Sequence, residues 1–481
     1  MQPIAESIGI AAPELVLATG AMVLLMLGVF RGNRSLHGLT YGGVIIYAIA
    51  GFALLGDAQS ELAFDGLYIA DDFSAYLKVL IFAAAAICSI IALPYLVRAR
   101  SDKFEYPVLI MLGALGMSMM VSANDLLSLY IGLELQSLAA YVLAAFHRNE
   151  ASSSEAGLKY FVLGALASGI LLYGVSLVYG FTGTTDFRLL QVAVTETPAV
   201  GTVIGLVFIL AGLAFKVSAV PFHMWTPDVY QGAPTPVAAF FASAPKAAAM
   251  GLLVRVCMDA FGGMMSEWQQ IIAFMAIASM VLGAVGAIGQ RSIKRLLAYS
   301  SINNIGFALI GLAAASELGI SGVLFYMAIY LPMTIGAFLV VLSLRGADGR
   351  PLDTMNSLKG LSKTRPGLAI ALLIFMFSLA GIPPLFGFWP KFAVFNAAID
   401  AEMYVLAVIG VVTSVVGAFY YLRIIKLAYF DEPEGTVLPQ ESRVNGALLA
   451  GIAVFCSPLG LFLMGPITVA AARAARAMLT F

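Results

Sequence analysis

Four ionisable side chains lie inside apolar stretches of this sequence, and they are the residues best suited to chemistry. Glu134 is the carboxylate in the middle of "LYIGLELQSLAAYVL" (129–143), and Lys216, Lys246 and Lys391 lie far from any predicted helix end. A charged lysine at the centre of a bilayer costs about 2.5 to 3.5 kcal/mol on insertion scales, and such residues mark ion pathways or proton relays. A carboxylate close to a lysine can set whether that lysine carries a proton. We interpret Glu134 and Lys216 as an input pair, Lys246 as the central relay and Lys391 as the exit group.

His223 lies close to Lys216 in the stretch "GLAFKVSAVPFHMWTP" (212–227). An imidazole titrates near neutral pH and can pass protons, so His223 can deliver protons from the cytoplasmic side. It can equally serve only to bond carbonyls that the nearby prolines leave free. The sequence leaves both roles open.

Two apolar runs are interrupted in the same way beside these lysines. One contains "VPFHMWTP" (220–227) and the other "IPPLFGFWP" (382–390), and Pro221 and Pro383 are 162 residues apart. This spacing predicts two five-helix copies, and an odd number of helices in each copy inverts the second. Broken helices expose carbonyls that only protein or water can satisfy, so we expect freed carbonyls and water to solvate Lys216. A kink used only for packing is the alternative, and the recurrence beside Lys391 argues against it.

The composition indicates which elements must hold these residues. Of 481 residues, 61% are hydrophobic and 11% charged, and the mean hydropathy is +0.95, whereas soluble domains carry about 25% charged residues. Apolar runs close to the roughly 20 residues that a membrane-spanning helix needs recur throughout, and no loop could house a nucleotide-binding domain. We predict an all-α polytopic membrane protein with about 14 transmembrane helices, inverted repeats formed by helices 4–8 and 9–13, and discontinuous helices 7 and 12. The runs lie near 11–30, 37–56, 73–97, 107–122, 124–146, 156–181, 199–229, 235–259, 268–289, 296–315, 320–344, 367–399, 402–427 and 446–466.

A polar patch occupies the start of the tenth run. Its hydroxyl and amide side chains could order water, and they could equally bond neighbouring helices. The sequence leaves both open for Tyr299, Ser300, Ser301, Asn303 and Asn304.

Basic residues are distributed unevenly between alternate loops. If the N-terminus is outside, seventeen lysines and arginines lie on the cytoplasmic side and three on the other, which is the positive-inside pattern. We therefore expect a multi-pass membrane protein with both termini outside the cytoplasm. Lys78, Lys159 and Arg255 lie near predicted helix ends, and we interpret them as long side chains that reach the interface.

Residues typical of redox or metal sites are few and scattered. Cys88, Cys257 and Cys456 lie in separate apolar runs without a C-x-x-C pair, and two of the three histidines fall in loops. The glycines at 283–289 lie inside an apolar helix, which favours close helix packing over dinucleotide binding. We expect no cofactor or metal in this chain and no nucleic-acid partner.

The segment "VPFHMWTPDVYQGAPTPVAAFFASAPKAA" (220–248) resembles the signature of a known family. The family comprises the antiporter-like subunits of respiratory complex I, the proton-translocating NADH:quinone oxidoreductase, and of multisubunit cation/proton antiporters. The similarity extends over about residues 70–430. Within the family, "LYIGLELQSLAAYVLAAF" (129–146) and "AGIPPLFGFWPKFAVF" (380–395) resemble the subunit N branch. The M branch would carry a glutamate at 391, and the L branch would add a long lateral helix.

The resemblance implies a proton-translocating role for Glu134, Lys216, Lys246 and Lys391. It implies that FMN and iron-sulfur clusters belong to partner subunits and that quinone is reduced elsewhere in the complex. Expected partners are other complex I membrane subunits, through them the peripheral NADH-oxidising arm, and the lipid bilayer. The expected organisation is an N-terminal three-helix segment at 1–106, a first antiporter-like repeat at 107–259, a second, inverted repeat at 260–429, and a cytoplasmic loop with a C-terminal helix at 430–481.

Three functions are compatible with these residues. The first is a proton-translocating membrane-arm subunit of NADH:quinone oxidoreductase, a translocase without a redox centre of its own. The second is a subunit of a multisubunit cation/proton (Na⁺/H⁺) antiporter, for which the same lysines and carboxylate would serve. The third is a membrane scaffold needed only for assembly, which leaves the buried charged groups unexplained.

Overall fold

The computed structural model describes residues 4–54, 60–194, 198–347, 349–435, 437–438 and 442–479. Helices dominate it, because a chain in lipid must satisfy its backbone hydrogen bonds internally. A short antiparallel ladder pairs β1, Glu61–Ala63, with β2, Tyr68–Ala70. The α-helices are α1 Ile4–Ile10, α2 Ala12–Arg31, α3 Leu36–Phe52, α4 Asp72–Arg98, α5 Glu105–Val121, α6 Leu126–Ala144, α7 Ala151–Thr182, α8 Phe187–Ala193, α9 Val200–Val217, α10 Trp225–Gly232, α11 Thr235–Phe241, α12 Ala244–Arg255, α13 Met265–Ile288, α14 Ile293–Ala313, α15 Glu317–Ser343, α16 Leu361–Thr364, α17 Pro366–Ala380, α18 Phe388–Asp400, α19 Tyr404–Phe430, α20 Arg443–Cys456 and α21 Met464–Leu479.

Twelve helical segments in the described ranges are long and apolar enough to cross a bilayer, and α5, α17 and α20 are shorter apolar helices. Each of the predicted runs contains a helix. The predicted end of the second run, at residue 56, lies outside the described residues. The prediction of an all-α polytopic membrane protein is confirmed, whereas the count of 14 and the inverted repeat stay predictions.

The seventh and twelfth runs are both interrupted, and the two interruptions begin alike. α9 ends at Val217 and is followed by Ser218 in the left-handed region (φ 63°). α17 ends at Ala380 and is followed by Gly381 in the same region (φ 81°). The two left-handed residues that follow these helix ends, Ser218 and Gly381, are 163 positions apart. The register therefore differs by one residue from the one that Pro221 and Pro383 predict.

Two further runs are broken where the sequence predicts continuous helices. The eighth is interrupted at Ala242 and Ser243, between α11 and α12. The last, expected to span 446–466, stops at Cys456, because the chain turns into a 3₁₀ segment at Pro458–Leu463 before α21 begins. The carbonyl of Cys456 accepts a hydrogen bond from the Phe386 backbone amide (3.2 Å). This fourth break therefore packs against the one between α17 and α18.

The centre of the molecule contains α11, α12, α14 and α15, in which almost every residue is buried. Glycine permits the close approach of α13 to α14. A Cβ at Gly283 would lie 2.6 Å from the backbone nitrogen of Asn303. Gly283 and Gly286 therefore serve close helix packing, as the sequence predicts, whereas a Cβ at Gly289 would meet no atom within 4 Å.

Two basic residues that the sequence analysis assigned to the interface are buried instead. Lys78 and Arg255 are each 1% exposed. Lys78 Nζ pairs with Glu14 Oε1 (2.7 Å) and Arg255 Nη2 pairs with Asp71 Oδ2 (2.8 Å). The snorkelling interpretation is wrong for both, because the paired carboxylates make burial tolerable; only Lys159, whose side chain is 42% exposed, fits it.

Candidate functional site

Glu134 and Lys216 lie near each other, with a serine hydroxyl beside both. Lys216 occupies the last turn of α9, is 7% exposed, and donates from Nζ to Ser137 Oγ (2.6 Å). Ser137 is three residues beyond Glu134 on α6, so both residues share one helix face. Glu134 Oε1 is buried without a hydrogen-bond partner among the described residues. A side-chain rotation of Lys216 would therefore exchange the hydroxyl for the carboxylate.

Lys246 binds the end of the broken helix α9. Its Nζ donates to the Val217 carbonyl (2.9 Å) and to Ser218 Oγ. The carbonyl of a last helical residue has no partner within its helix, and the negative end of the helix dipole favours a cation there. The sequence predicts that such a carbonyl solvates Lys216, whereas in the structure it binds Lys246. Trp225 Nε1 donates to the Phe215 carbonyl (2.9 Å), which also accepts from the Ser218 backbone amide (3.1 Å).

Lys391 occupies the corresponding place at the second break. Its Nζ donates to the carbonyl of Ala380, the last residue of α17 (3.0 Å), and to Ser414 Oγ on α19 (3.2 Å). The same dipole argument applies to the end of α17. Lys246 and Lys391 are thus each held by one freed carbonyl and one serine hydroxyl.

The buried basic residues therefore fall into two groups. Lys78 and Arg255 are ion-paired with carboxylates. Lys216, Lys246 and Lys391, and with them Lys294, have only neutral hydrogen-bond acceptors among the described residues. A buried ammonium without a paired carboxylate can lose its proton without leaving an opposite charge uncompensated.

His223 lies in the backbone break between α9 and α10, half-buried, and its Nδ1 is buried without a hydrogen-bond partner among the described residues. The imidazole therefore does not cap a freed carbonyl through Nδ1. The structure brings Glu134, Lys216 and Lys246 together through Ser137 and the Val217 carbonyl, and it places Lys391 at the other break.

A cavity of about 1700 Å³ lies on the side that the charge pattern predicts to be cytoplasmic. On its wall, Asp228 accepts hydrogen bonds from Lys159 Nζ (2.9 Å) and Arg295 Nη1 (2.5 Å). Lys294, also on the wall, is 7% exposed and donates to the Ala233 carbonyl (3.0 Å). Because Asp228 belongs to α10, the cavity reaches the helix that follows His223.

Sequence reasoning missed the three serines that bind the lysines, Ser137, Ser218 and Ser414. Ser137 carried a usable signal, since it lies one helical turn from Glu134. Ser218 and Ser414 carried none, because they reach their lysines only through tertiary packing.

No group of three or more histidine, cysteine, aspartate or glutamate side chains in the described part of the chain is placed to hold a metal ion. The cysteines Cys88, Cys257 and Cys456 are each buried and unpaired.

Comparison with known proteins gives one consistent picture. The family described as NADH:quinone oxidoreductase/Mrp antiporter, TM matches residues 123–417. NADH-quinone oxidoreductase subunit N from Rhizorhabdus wittichii is 56% identical over 473 residues, which is 97% of this chain and 98% of the relative. Subunit N 1 from Rhizobium meliloti is 53% identical over 477 residues, covering 98% of both chains.

Solved structures agree with this. A chain of respiratory complex I from Thermus thermophilus, solved with bound aureothin, superposes with a TM-score of 0.83 at 33% identity, covering 96% of this chain and 99% of that one. A chain of the Mrp complex from a Dietzia species has a TM-score of 0.84 at 24% identity, covering 98% of this chain and 97% of that one. The second match shows a shared fold.

The fold and the lysines at two helix breaks define an antiporter-like, multi-pass membrane subunit. Within that class, the relatives covering nearly the whole chain decide the branch. The chain belongs to the NADH-quinone oxidoreductase subunit N family.

Proposed function

We propose that this chain moves protons from the cytoplasm to the periplasm as a membrane subunit of an NADH-quinone oxidoreductase. Electron transfer from NADH to quinone in partner subunits drives the movement, and the chain itself acts as a translocase without a redox centre. Proton uptake begins at the cavity beside Asp228, with His223 as a relay towards Lys216. The proton then passes through Lys246 and leaves by way of Lys391.

One observation carries this proposal, namely that the buried lysines at the helix breaks have neutral acceptors while Lys78 and Arg255 are paired with carboxylates. Lys294 on the cavity wall also has a neutral acceptor, the Ala233 carbonyl. A paired ammonium is held in its charged form by its partner. An ammonium bound to a hydroxyl and a carbonyl keeps acceptors that remain satisfactory partners for a neutral amine, which can still donate. Lys216 and Lys246 are therefore suited to change protonation during turnover.

The input step uses the two positions open to Lys216. Bound to Ser137, the ammonium is separated from Glu134, and bound to Glu134 it would be held as a charged pair. An opposite charge within about 4 to 6 Å favours the charged form, so closing the pair loads Lys216 and opening it releases the proton towards Lys246. The structure has the open arrangement.

The proposal extends to the surroundings of the chain. FMN and iron-sulfur clusters belong to partner subunits, and further antiporter-like and small membrane subunits connect this chain to the peripheral arm. The chain resides in the bacterial inner membrane with both termini in the periplasm. Its organisation is a three-helix segment at 1–106, two inverted repeats at 107–259 and 260–429, and a C-terminal part at 430–481.

Substitution of Lys246 by alanine tests the proposal. The assembled complex is reconstituted into liposomes, and the protons translocated per NADH oxidised are measured. We expect this ratio to fall while the amount of assembled complex is unchanged. Lys426→Ala is the control, because the Lys426 side chain is 70% exposed near the end of α19. An unchanged ratio contradicts the proposal, and loss of assembly favours a scaffold.

A cation/proton antiporter subunit is the second candidate, because the matching family includes Mrp antiporters and a Dietzia Mrp chain shares the fold. The two are separated by imposing a Na⁺ gradient on vesicles without NADH. A pH change under these conditions favours the antiporter, and co-purification with NADH dehydrogenase activity favours the oxidoreductase.

A further inference from the structure

The proposed route from Lys246 to Lys391 crosses a region without carboxylates, amines or imidazoles. Residues 296–313 of α14 and 318–343 of α15 contain no aspartate, glutamate, lysine, arginine or histidine. They contain hydroxyl and amide side chains instead, and all of these except Tyr299 and Ser321 are buried. Something other than an ionisable amine must connect the two lysines.

Hydroxyl groups from four helices meet in this region. Ser300 Oγ and Tyr421 OH are hydrogen-bonded at 2.5 Å, and Tyr330 OH donates to Ser301 Oγ at 2.8 Å. We name the hydroxyl cluster by its members, which are at most 3% exposed: Tyr230, Ser300, Ser301, Tyr326, Tyr330, Tyr420 and Tyr421.

Two asparagines hold the hydroxyl cluster together. Asn304 accepts from Tyr326 OH at 2.8 Å and donates to Tyr421 OH at 3.3 Å. Asn303 donates to Tyr420 OH at 3.2 Å. An amide both accepts and donates but does not readily exchange its protons, so the asparagines orient the hydroxyls. The hydroxyls are the groups able to pass a proton, because each can accept one proton and release another.

One end of the hydroxyl cluster lies beside Lys391. A Cβ at Gly417 would lie 3.1 Å from Asn303 Nδ2, so α19 approaches Asn303 closely here. Ser414, which binds Lys391, is three residues before Gly417 on α19 and therefore on the same side of that helix. Asn303 Oδ1 is buried without a partner among the described residues, which gives it capacity for a bridging water.

The other end lies beside Lys246. Tyr230 on α10 faces α15, where its ring meets that of Phe338 with ring centres 6.1 Å apart, and its OH lies near Tyr330 and Ser301. The Tyr230 ring meets Trp225 edge-on, with ring centres 6.2 Å apart, and the Trp225 ring centre lies 5.5 Å from Lys246 Nζ. Tyr230 OH is also buried without a protein hydrogen-bond partner in the described residues. The hydroxyl cluster thus connects the surroundings of both lysines.

We propose that the hydroxyl cluster is a neutral proton relay between Lys246 and Lys391. Lys246 gives one proton to the Tyr230 end, each hydroxyl oxygen accepts a proton and releases its own, and the neutral amine of Lys391 takes the last one. No side chain of the hydroxyl cluster changes its net charge after one passage, and rotation of the O–H bonds restores the starting order. This inference rests on the proposed function.

Tyrosine-to-phenylalanine substitutions test the relay, because they keep the ring and remove only the hydroxyl. The double variant Tyr330→Phe/Tyr421→Phe is compared with Lys391→Met and with the control Tyr106→Phe. Tyr106 is 1% exposed on α5, outside the hydroxyl cluster, and its hydroxyl has no partner among the described residues. Each assembled complex is reconstituted, and protons translocated per NADH oxidised are measured.

The relay predicts that the double variant loses the same share of translocated protons as Lys391→Met, while Tyr106→Phe loses none. If the number of protons translocated per NADH falls in Lys391→Met but not in the double variant, the relay is refuted and the proposed function stands. If Lys391→Met loses nothing, both fall. Should the double variant fail to assemble, Tyr420→Phe alone replaces it with the same expected outcomes.

Discussion

Replacing Lys246 by methionine should cost the chain little stability, whereas the same replacement of Lys78 should cost much. Lys246→Met leaves the Val217 carbonyl without its donor, a loss of about 1 to 3 kcal/mol. It also removes an amine whose insertion costs about 2.5 to 3.5 kcal/mol when charged. The two effects oppose each other, so the net change in stability lies between a loss of about 0.5 kcal/mol and a gain of about 2.5 kcal/mol on the same scales.

Lys78→Met has no such compensation. Glu14 accepts hydrogen bonds from Tyr68 OH (2.7 Å) and Ser118 Oγ (2.5 Å), but Lys78 is its ion-pair partner. Removing one member of a buried pair leaves an uncompensated charge and costs about 3 to 5 kcal/mol. Lys78→Met is therefore the matched control, a buried lysine replaced by the same apolar side chain.

The assay is thermal. Purified complex in mild detergent is heated in steps, and the temperature at which this subunit leaves the soluble complex is followed on native gels. We expect that temperature to be close to or above that of wild type for Lys246→Met and clearly lower for Lys78→Met. If that temperature falls by the same amount in the two variants, the division of the buried lysines into two groups is refuted.

Three further predictions follow from individual contacts. Ser414→Ala leaves Lys391 with one acceptor, so protons translocated per NADH should fall without loss of assembly; an unchanged ratio would count against a role for this hydroxyl. Gly283→Ala should destabilise the subunit by about 1 to 3 kcal/mol through overpacking in thermal melts, whereas Gly289→Ala, with no atom within 4 Å of the added Cβ, should not. Burial lowers the pKa of His147 from its usual 6.5, so stability is complete above about pH 6.5 and falls as the pH drops towards the folded pKa. His147→Phe should flatten this dependence in melts at a series of pH values, and an identical pH profile would contradict the assignment.

The sequence predicts much of this architecture because the bilayer imposes strong local constraints. Apolar runs must be helical to satisfy their backbone groups, so the positions of the helices and the breaks near Pro221 and Pro383 could be recognised. The break at Ser457 was missed although Pro458, which cannot continue a helix, is a local signal for it. Its packing against the Phe386 amide, a partner distant in the chain, has no such signal.

The site was only partly predictable for a similar reason. The apolar surroundings of the buried lysines mark them in the sequence, but no local pattern indicates which lysine binds the freed Val217 carbonyl. The sequence alone places Lys78 and Arg255 at the interface, because their partners Glu14 and Asp71 lie far away along the chain. Pairing across a fold carries no local pattern.

Infrared difference spectroscopy of the complex during turnover tests most directly whether the buried groups change protonation. Spectra of wild type, Glu134→Gln and Lys246→Met are recorded with and without NADH, using quinone as acceptor. The account predicts a carboxyl signal in the wild type that is lost in Glu134→Gln and altered in Lys246→Met, because the carboxylate responds to the charge of Lys216 and its neighbour. Identical difference spectra in all three would contradict proton transfer through these residues.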